Sequence, residues 1–246
     1  MGAVPTLILS PRQTPDSQAL WRAAIEKSWE VHRLATWRVP DELRAVDEAV
    51  LYAEALFGPS LADELGIELL DPPEDWLSRL PEAFRRRSVR HATLAGAMGL
   101  REPAFVKPPN DKSFPAAVYA PGALPTGFDP DMAVLIAEPV HFVSEHRCFV
   151  LDGVIRTHSI YARNGDPTTE PASDAERADM LAFAQELLAS PMDIPRACVL
   201  DCGLIRDRGW AAVELNAAWG AGIYGCDPGA VLDVVRGASR AAPRPR

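Results

Sequence analysis

At 246 residues the chain can bury a substantial core, as one large domain or two small ones. Its 48% hydrophobic and 24% charged residues suit a soluble globular protein, and a net charge of -9 argues against a general nucleic-acid binder. No apolar run reaches the roughly 18–20 residues of a membrane span, and the start MGAVPTLILSPRQ lacks the basic region of a signal peptide. The expectation is therefore a cytoplasmic protein with neither membrane nor nucleic acid as partner. Cys148, Cys198, Cys202 and Cys226 form no CxxC pair and read as buried small hydrophobes.

The N-terminal part alternates element types. Thr6 to Ser10 reads as a short apolar strand and Ser17 to Trp29 as a helix, with Leu20, Ala23, Ala24, Ile25 and Trp29 on one side. Val31 to Arg38 is a predicted strand stopped by Pro40. Ala49 to Phe57 is predicted as a strand before a turn at Gly58-Pro59, and Ile67 to Leu70 as a strand ended by Pro72-Pro73. Pro81 to Met98 has helical spacing through Val89, Ala92, Leu94 and Ala97. Its Arg85-Arg86-Arg87 run reads as a solvated helix face, with binding of an anionic substrate as the other reading.

After Gly99 the character changes. Ala104 to Pro108 is a predicted strand, followed by an irregular segment from Pro109 to Pro115. Ala133 to Ala137 is a continuous apolar strand, consistent with burial on both faces. His146 to Leu151 and Val154-Ile155 flank an Asp152-Gly153 hairpin turn. Ser173 to Leu188 is helical, with Asp174 and Glu176 near its start, and a last helix spans Ala230 to Gly237. A small α/β domain over 1–99, a second domain over 100–239 and a disordered tail over 240–246 are expected.

Three features carry chemistry. Lys107 ends a strand and Lys112 follows in a Pro/Asn/Ser loop, so two point charges can reach a phosphate chain; exposed, unrelated lysines are the plain alternative. The strand ending at Glu138 meets Pro139, which cannot donate to a ladder, so Glu138-Pro139-Val140 can form a hinge offering backbone groups to an adenine edge. Glu145 and Arg147 share a face beyond it, for ribose hydroxyls and for phosphate or carboxylate, or simply as a surface ion pair. Last comes a hairpin turning at Asp207-Arg208-Gly209. Alternation sets Glu214 and Asn216 on one face, and the hairpin brings Asp201 back to them. Two carboxylates and an amide oxygen form an all-oxygen set suited to Mg2+ with a polyphosphate.

In this order the residues resemble the ATP-grasp superfamily. Lys107 stands in a VKP setting, and Glu138 opens the adenine hinge, with Val140 beside it. Glu145 follows Glu138 by seven residues as the ribose ligand, and Asp201 precedes Glu214-x-Asn216 by 13 residues as the metal ligands. Lys112 and Arg147 beside Lys107 look like the subgroup marked by one extra arginine and two lysines. Two departures stand out: the loop from Pro109 to Phe114 has no glycine, and Val199 stands where relatives carry an arginine, leaving Arg147 or Arg163 to supply that charge.

The resemblance implies a small N-terminal α/β domain followed by an ATP-grasp domain with antiparallel sheet. It implies ATP and Mg2+ as cofactors and an acyl-phosphate route from a carboxylate and an amine, small molecules or peptides, to an amide. Lys112 and Arg147 would act at the transferring phosphoryl group, and a homodimer is compatible with the superfamily. A phosphotransferase and a non-catalytic nucleotide-binding module are the alternatives. The glycine-rich run Ala217 to Cys226 can admit an acceptor beside Trp219 or Tyr224, or serve as a plain turn before the last helix.

Overall fold

In the computed structural model, which describes residues 4–110 and 112–242, the first half alternates strand and helix. Strand β1 (Thr6–Leu9) lies between β2 (Glu30–Arg33) and β3 (Ala49–Tyr52), and all three run parallel. Every residue of β1 is buried, as a central parallel strand covered on both faces should be. Helix α1 (Pro15–Glu26) makes the crossover, opened by a reciprocal Thr14–Ser17 cap and a proline in its first turn. Then come α2 (Gly58–Leu65), β4 (Ile67–Leu69), α3 (Trp76–Arg79), α4 (Glu82–Arg85), β5 (Val89–Thr93) and α5 (Leu94–Ala97).

The second half is built on two antiparallel sheets. Strands β6 (Ala104–Lys107), β7 (Ala117–Tyr119) and β8 (Ala133–Ala137) join β5 in the order β5-β8-β6-β7. The larger sheet takes β9 (Phe142–Leu151), β10 (Val154–Arg163), β11 (Asp166–Pro167), β12 (Ala197–Ile205) and β13 (Gly209–Asn216) in the order β11-β10-β9-β12-β13. Asp152 and Gly153 both have positive φ, the geometry that a two-residue hairpin needs. Helix α6 (Asp174–Leu188) is capped by the Ser173 side chain; α7 (Pro228–Arg236) and β14 (Ser239–Ala241) close the described chain.

Several expectations change. The helix expected over 81–98 is instead a single turn, a strand and another turn. Arg86, with φ of 52°, ends α4, and β8 then recruits Val89–Thr93 as a partner strand. Pairing overrides a helical spacing that only Val89, Ala92, Leu94 and Ala97 had suggested. The four-stranded sheet thus begins ahead of the boundary expected near residue 100. Gly58-Pro59 opens a helix rather than a turn, which ends at Gly66 in the left-handed region. The strand expected over 31–38 stops at Arg33. Arg240 and Ala241, expected in a disordered tail, pair with Glu68 and Ile67, while residues 243–246 lie outside the described residues.

The five-stranded sheet is covered on both sides. Phe149 and Val199 pack with Leu7, Leu20 and Val50 of the first half and with Val231 and Val235 of α7. On the other face Cys148, Leu200 and Cys202 meet Met180, Ala184 and Leu187 of α6. All four cysteines are free and buried, as expected.

The two halves also meet where Gly58 opens α2. A Cβ there would overlap the indole ring of Trp219. Replacing Gly58 by Ala should therefore destabilise the protein by about 1–3 kcal/mol, the usual effect of overpacking. The urea midpoint measures it; a midpoint equal to the parent's would show that the indole has room to move.

Candidate functional site

The edge strand β13 faces the four-stranded sheet, and the two are joined where the Lys107 ammonium, at the end of β6, pairs with the Glu214 carboxylate. Two cavities of about 230 and about 570 Å3 meet at this pair, and both residues line each of them. The smaller is apolar: Phe105, Leu135 and Ala137 face Phe142 and Val213 across it, with Glu138, Val140 and Glu145 at its margin. The larger is lined by Lys112, Arg147, Asn216, Trp219 and Tyr224, and from the first half by Ala55, Asp71 and Pro72.

The predicted acidic trio does converge. Asp201 pairs across the ladder with Glu214, and a bulge follows: Cys202 pairs with Ala212, leaving Val213 as an extra residue. Asn216 Nδ2 donates to Glu214 Oε1 at 2.9 Å and to Asp201 Oδ2 at 3.2 Å. The three residues nonetheless differ in access. Asp201 is 0% exposed, and both its oxygens sit in the fork of Arg147, with Nε to Oδ1 at 2.9 Å and Nη2 to Oδ2 at 2.6 Å. Glu214, whose side chain is 28% exposed, and Asn216 face the larger cavity.

Burial pushes the Asp201 carboxyl up to about 6 against the pull of Arg147. Burial would raise Glu214 as well, but the Lys107 ammonium and the Asn216 amide outweigh it and hold that carboxyl down at about 2. Among the described residues no three His, Cys, Asp or Glu side chains gather as metal ligands. Of the predicted trio, the Glu214 carboxylate and the Asn216 amide offer oxygens at the cavity wall. Those two oxygens fit a hard divalent cation, whereas Asp201, fully buried in the fork of Arg147, lines neither cavity.

Arg147 also donates from Nη1 to the Gly222 carbonyl at 2.8 Å, and Tyr224 and Tyr161, stacked on each other, flank its guanidinium. Tyr161 in turn donates to Glu145 Oε2 at 3.1 Å. The Glu145 carboxyl is raised by burial, with that hydroxyl acting against the rise. Glu138 is turned outward, accepting from Arg208 at 2.7 Å and from the Ser88 N–H at 3.3 Å. Val140 beyond it makes no backbone hydrogen bond among the described residues. Arg163 pairs with Glu176 at 2.9 Å and lies away from the trio, so of the two candidates only Arg147 meets Asp201.

Sequence reasoning missed Arg87. Read as part of a solvated run, it is 7% exposed and lines the apolar cavity. It donates to the carbonyls of Ala212 at 2.8 Å, Val213 at 3.2 Å and Arg85 at 2.9 Å. Burial brings its pKa down to about 10, against the pull of Glu138 and Glu145. The three arginines carry no sequence signal to tell them apart, because burial of the third depends on a strand more than 120 residues away.

The sequence profile for the ATP-grasp domain, family 2 of the clade named for one arginine and two lysines, matches residues 84–234. Among curated proteins no sequence relative is found. The fold is similar to that of the D-cycloserine synthetase DcsG at 12% identity, with a TM-score of 0.56 over 94% of this chain and 98% of that one. It is also similar to the L-amino acid ligase from Bacillus licheniformis at 12% identity, with a TM-score of 0.56 over 92% and 70% of the two chains. A RimK domain ATP-grasp protein from Sphaerobacter thermophilus reaches 15% identity and a TM-score of 0.53 over 94% and 99%. With the profile spanning both antiparallel sheets, the chain belongs to the ATP-grasp superfamily, in family 2 of its arginine-and-two-lysines clade.

Proposed function

We propose that the protein is an ATP- and Mg2+-dependent carboxylate–amine ligase that forms an amide or peptide bond. The observation that carries this reading is the meeting of two unlike cavities at Lys107 and Glu214. The apolar cavity suits a purine base, with the backbone of Val140 at the base edge and Glu145 toward the ribose. The larger suits a phosphate chain and the reacting acid and amine. Two proteins that share the fold are named as a synthetase and an amino acid ligase, which supports bond formation rather than simple nucleotide binding.

In this reaction a substrate carboxylate attacks the γ-phosphorus of ATP, releasing ADP and giving an acyl phosphate; an amine then displaces phosphate. The part played by the side chains is positioning and charge neutralisation. Lys107 and Lys112 would face phosphate oxygens. Arg147 has five N–H groups, and three of them are taken by Asp201 and Gly222. The remaining two are available to the transferring phosphoryl group. Glu214 and Asn216 would hold Mg2+, which when bound would neutralise charge on the phosphate chain.

The site is already balanced, with Lys107 and Arg147 set against Glu214 and Asp201. Mg2+ on its own would leave an uncompensated double charge, so it should enter together with ATP. Thermal unfolding should show no shift with Mg2+ alone. With Mg2+ and ATP at about 100 times Kd, stabilisation should be about 2.7 kcal/mol. Glu214→Gln and Asn216→Ala should abolish the Mg2+-dependent part while remaining folded; unchanged ATP binding in both would remove these residues from the site. Lys107→Ala should weaken ATP binding about tenfold or more, the worth of a charged hydrogen bond. ADP release over a panel of acids and amines, with product mass, tests the reaction. An amide supports the ligase, a phosphoester identifies a phosphotransferase, and background release throughout overturns the enzyme reading.

Asp201 should behave differently from Glu214. Its removal leaves the Arg147 guanidinium buried without its counter-charge, so Asp201→Ala should cost about 3–5 kcal/mol in the ligand-free protein. A urea midpoint matching the parent's would show that Arg147 finds another partner.

A further inference from the structure

Arg87 is a buried cation whose only hydrogen-bond partners among the described residues are backbone carbonyls, and two of them, Ala212 and Val213, are consecutive residues of β13. In a regular strand successive carbonyls point to opposite sides, so one guanidinium cannot take both. It does so here because the strand bulges at Val213, between the pairs Cys202–Ala212 and Asp201–Glu214. The next residue along is Glu214. Were Val213 instead to pair with Asp201 in a regular ladder, every side chain beyond it would exchange faces, and Glu214 and Asn216 would turn away from Lys107.

Arg87 itself lies between α4 and β5, so it reaches the bulge from the four-stranded side of the site. Its guanidinium carbon stands 5.3 Å from the centre of the Phe142 ring, within the range of a cation–π contact. Phe142 in turn lies where a Cβ on Gly203 would be, as does Val213, so the bulge is packed on the β12 side as well. A planar fork suits two neighbouring carbonyls in a way that a single ammonium does not.

We propose that Arg87 is a positioning residue, which clamps the Ala212–Val213 bulge and thereby aims Glu214 and Asn216 at the phosphate end of the site. It acts through β13 and not by touching the nucleotide. The clamp is a property of the ligand-free protein; its consequence for Mg2+ rests on the function proposed above.

Two measurements test it. Amide hydrogen exchange of the ligand-free protein reads the clamp. Arg87→Lys should speed exchange in 211–216 by about tenfold or more, as expected for losing a charged hydrogen bond, and leave 144–150 of β9 unchanged. Arg87→Met should do the same; if it fails to fold, Arg87→Lys decides alone. Exchange equal to the parent's, or faster throughout the sheet, overturns the clamp. Thermal shifts with ATP read the consequence. Arg87→Lys should lose most of the Mg2+-dependent shift, keep the shift with ATP alone, and add nothing further in a Glu214→Gln background. A loss of the same size without Mg2+, or a full additional loss in Glu214→Gln, means that Arg87 acts on the nucleotide directly and overturns the proposal. A parent with no response to ATP and Mg2+ would sink the nucleotide reading, and the exchange experiment would still decide the clamp.

Discussion

The ion pair between Arg147 and Asp201 is the contact on which the site depends. The two residues face each other on β9 and β12, interior strands of the five-stranded sheet, and neither side chain is more than 8% exposed. Taking two charges out of water is costly, and attraction compensates only when geometry is good and the remaining polar atoms are satisfied. Here the fork is bidentate, the third arm of Arg147 holds the Gly222 carbonyl, and Asn216 gives Asp201 one more donor. One guanidinium therefore fixes the sheet, the loop after β13 and the tyrosine pair that flanks it.

From this pair a polar chain runs outward without a break. Asp201 accepts from Asn216, Asn216 donates on to Glu214, and Glu214 meets Lys107 on the other sheet. A cation thus closes each end of the chain, and the Asn216 amide separates the two acids between them. In a site of low dielectric such a network is stronger than its parts and also more exacting, since each member removed leaves a neighbour unsatisfied. Asp201 is closed to solvent, whereas Arg147, Asn216, Glu214 and Lys107 line the larger cavity. The inner acid is held by structure, and the outer acid and amide are the groups that can change partner when ligands arrive.

The sequence made the outer features legible. Two-residue spacing put Glu214 and Asn216 on one face, a hairpin brought Asp201 to them, and an apolar strand ending in Lys107 with Lys112 in the loop beyond marked a place for two positive charges. These are local patterns, and local patterns survive in sequence. The bulge at Val213 left no trace, because an extra residue in a strand is visible only against its partner. Arg87 was hidden for the same reason: its carbonyl partners are backbone atoms, which have no identity in sequence. The helix expected over 81–98 failed where pairing with β8 outweighed the spacing of four small or apolar residues. Arg240 and Ala241 of β14 were read as part of a tail because the ladder that orders them is formed with the distant β4.

The cavity walls divide along a second line. Lys107, Lys112, Arg147, Glu214 and Asn216 all fall within residues 84–234, the span shared with the family. Ala55, Asp71 and Pro72 fall outside it, yet they close the same cavity opposite Trp219 and Tyr224. Gly220 is held against the backbone of Ala53 and Ala55, and the Tyr52 hydroxyl donates to the Ala221 carbonyl at 2.9 Å. The loop that borders the larger cavity is thus positioned by residues of the first half. A change in β3 or in the segment before α2 would act on this loop, which Arg147 also holds through the Gly222 carbonyl. The first half thus supplies one wall of the cavity and the family span the other, so under the proposed ligase reaction residues outside that span would help to shape the space for acid and amine.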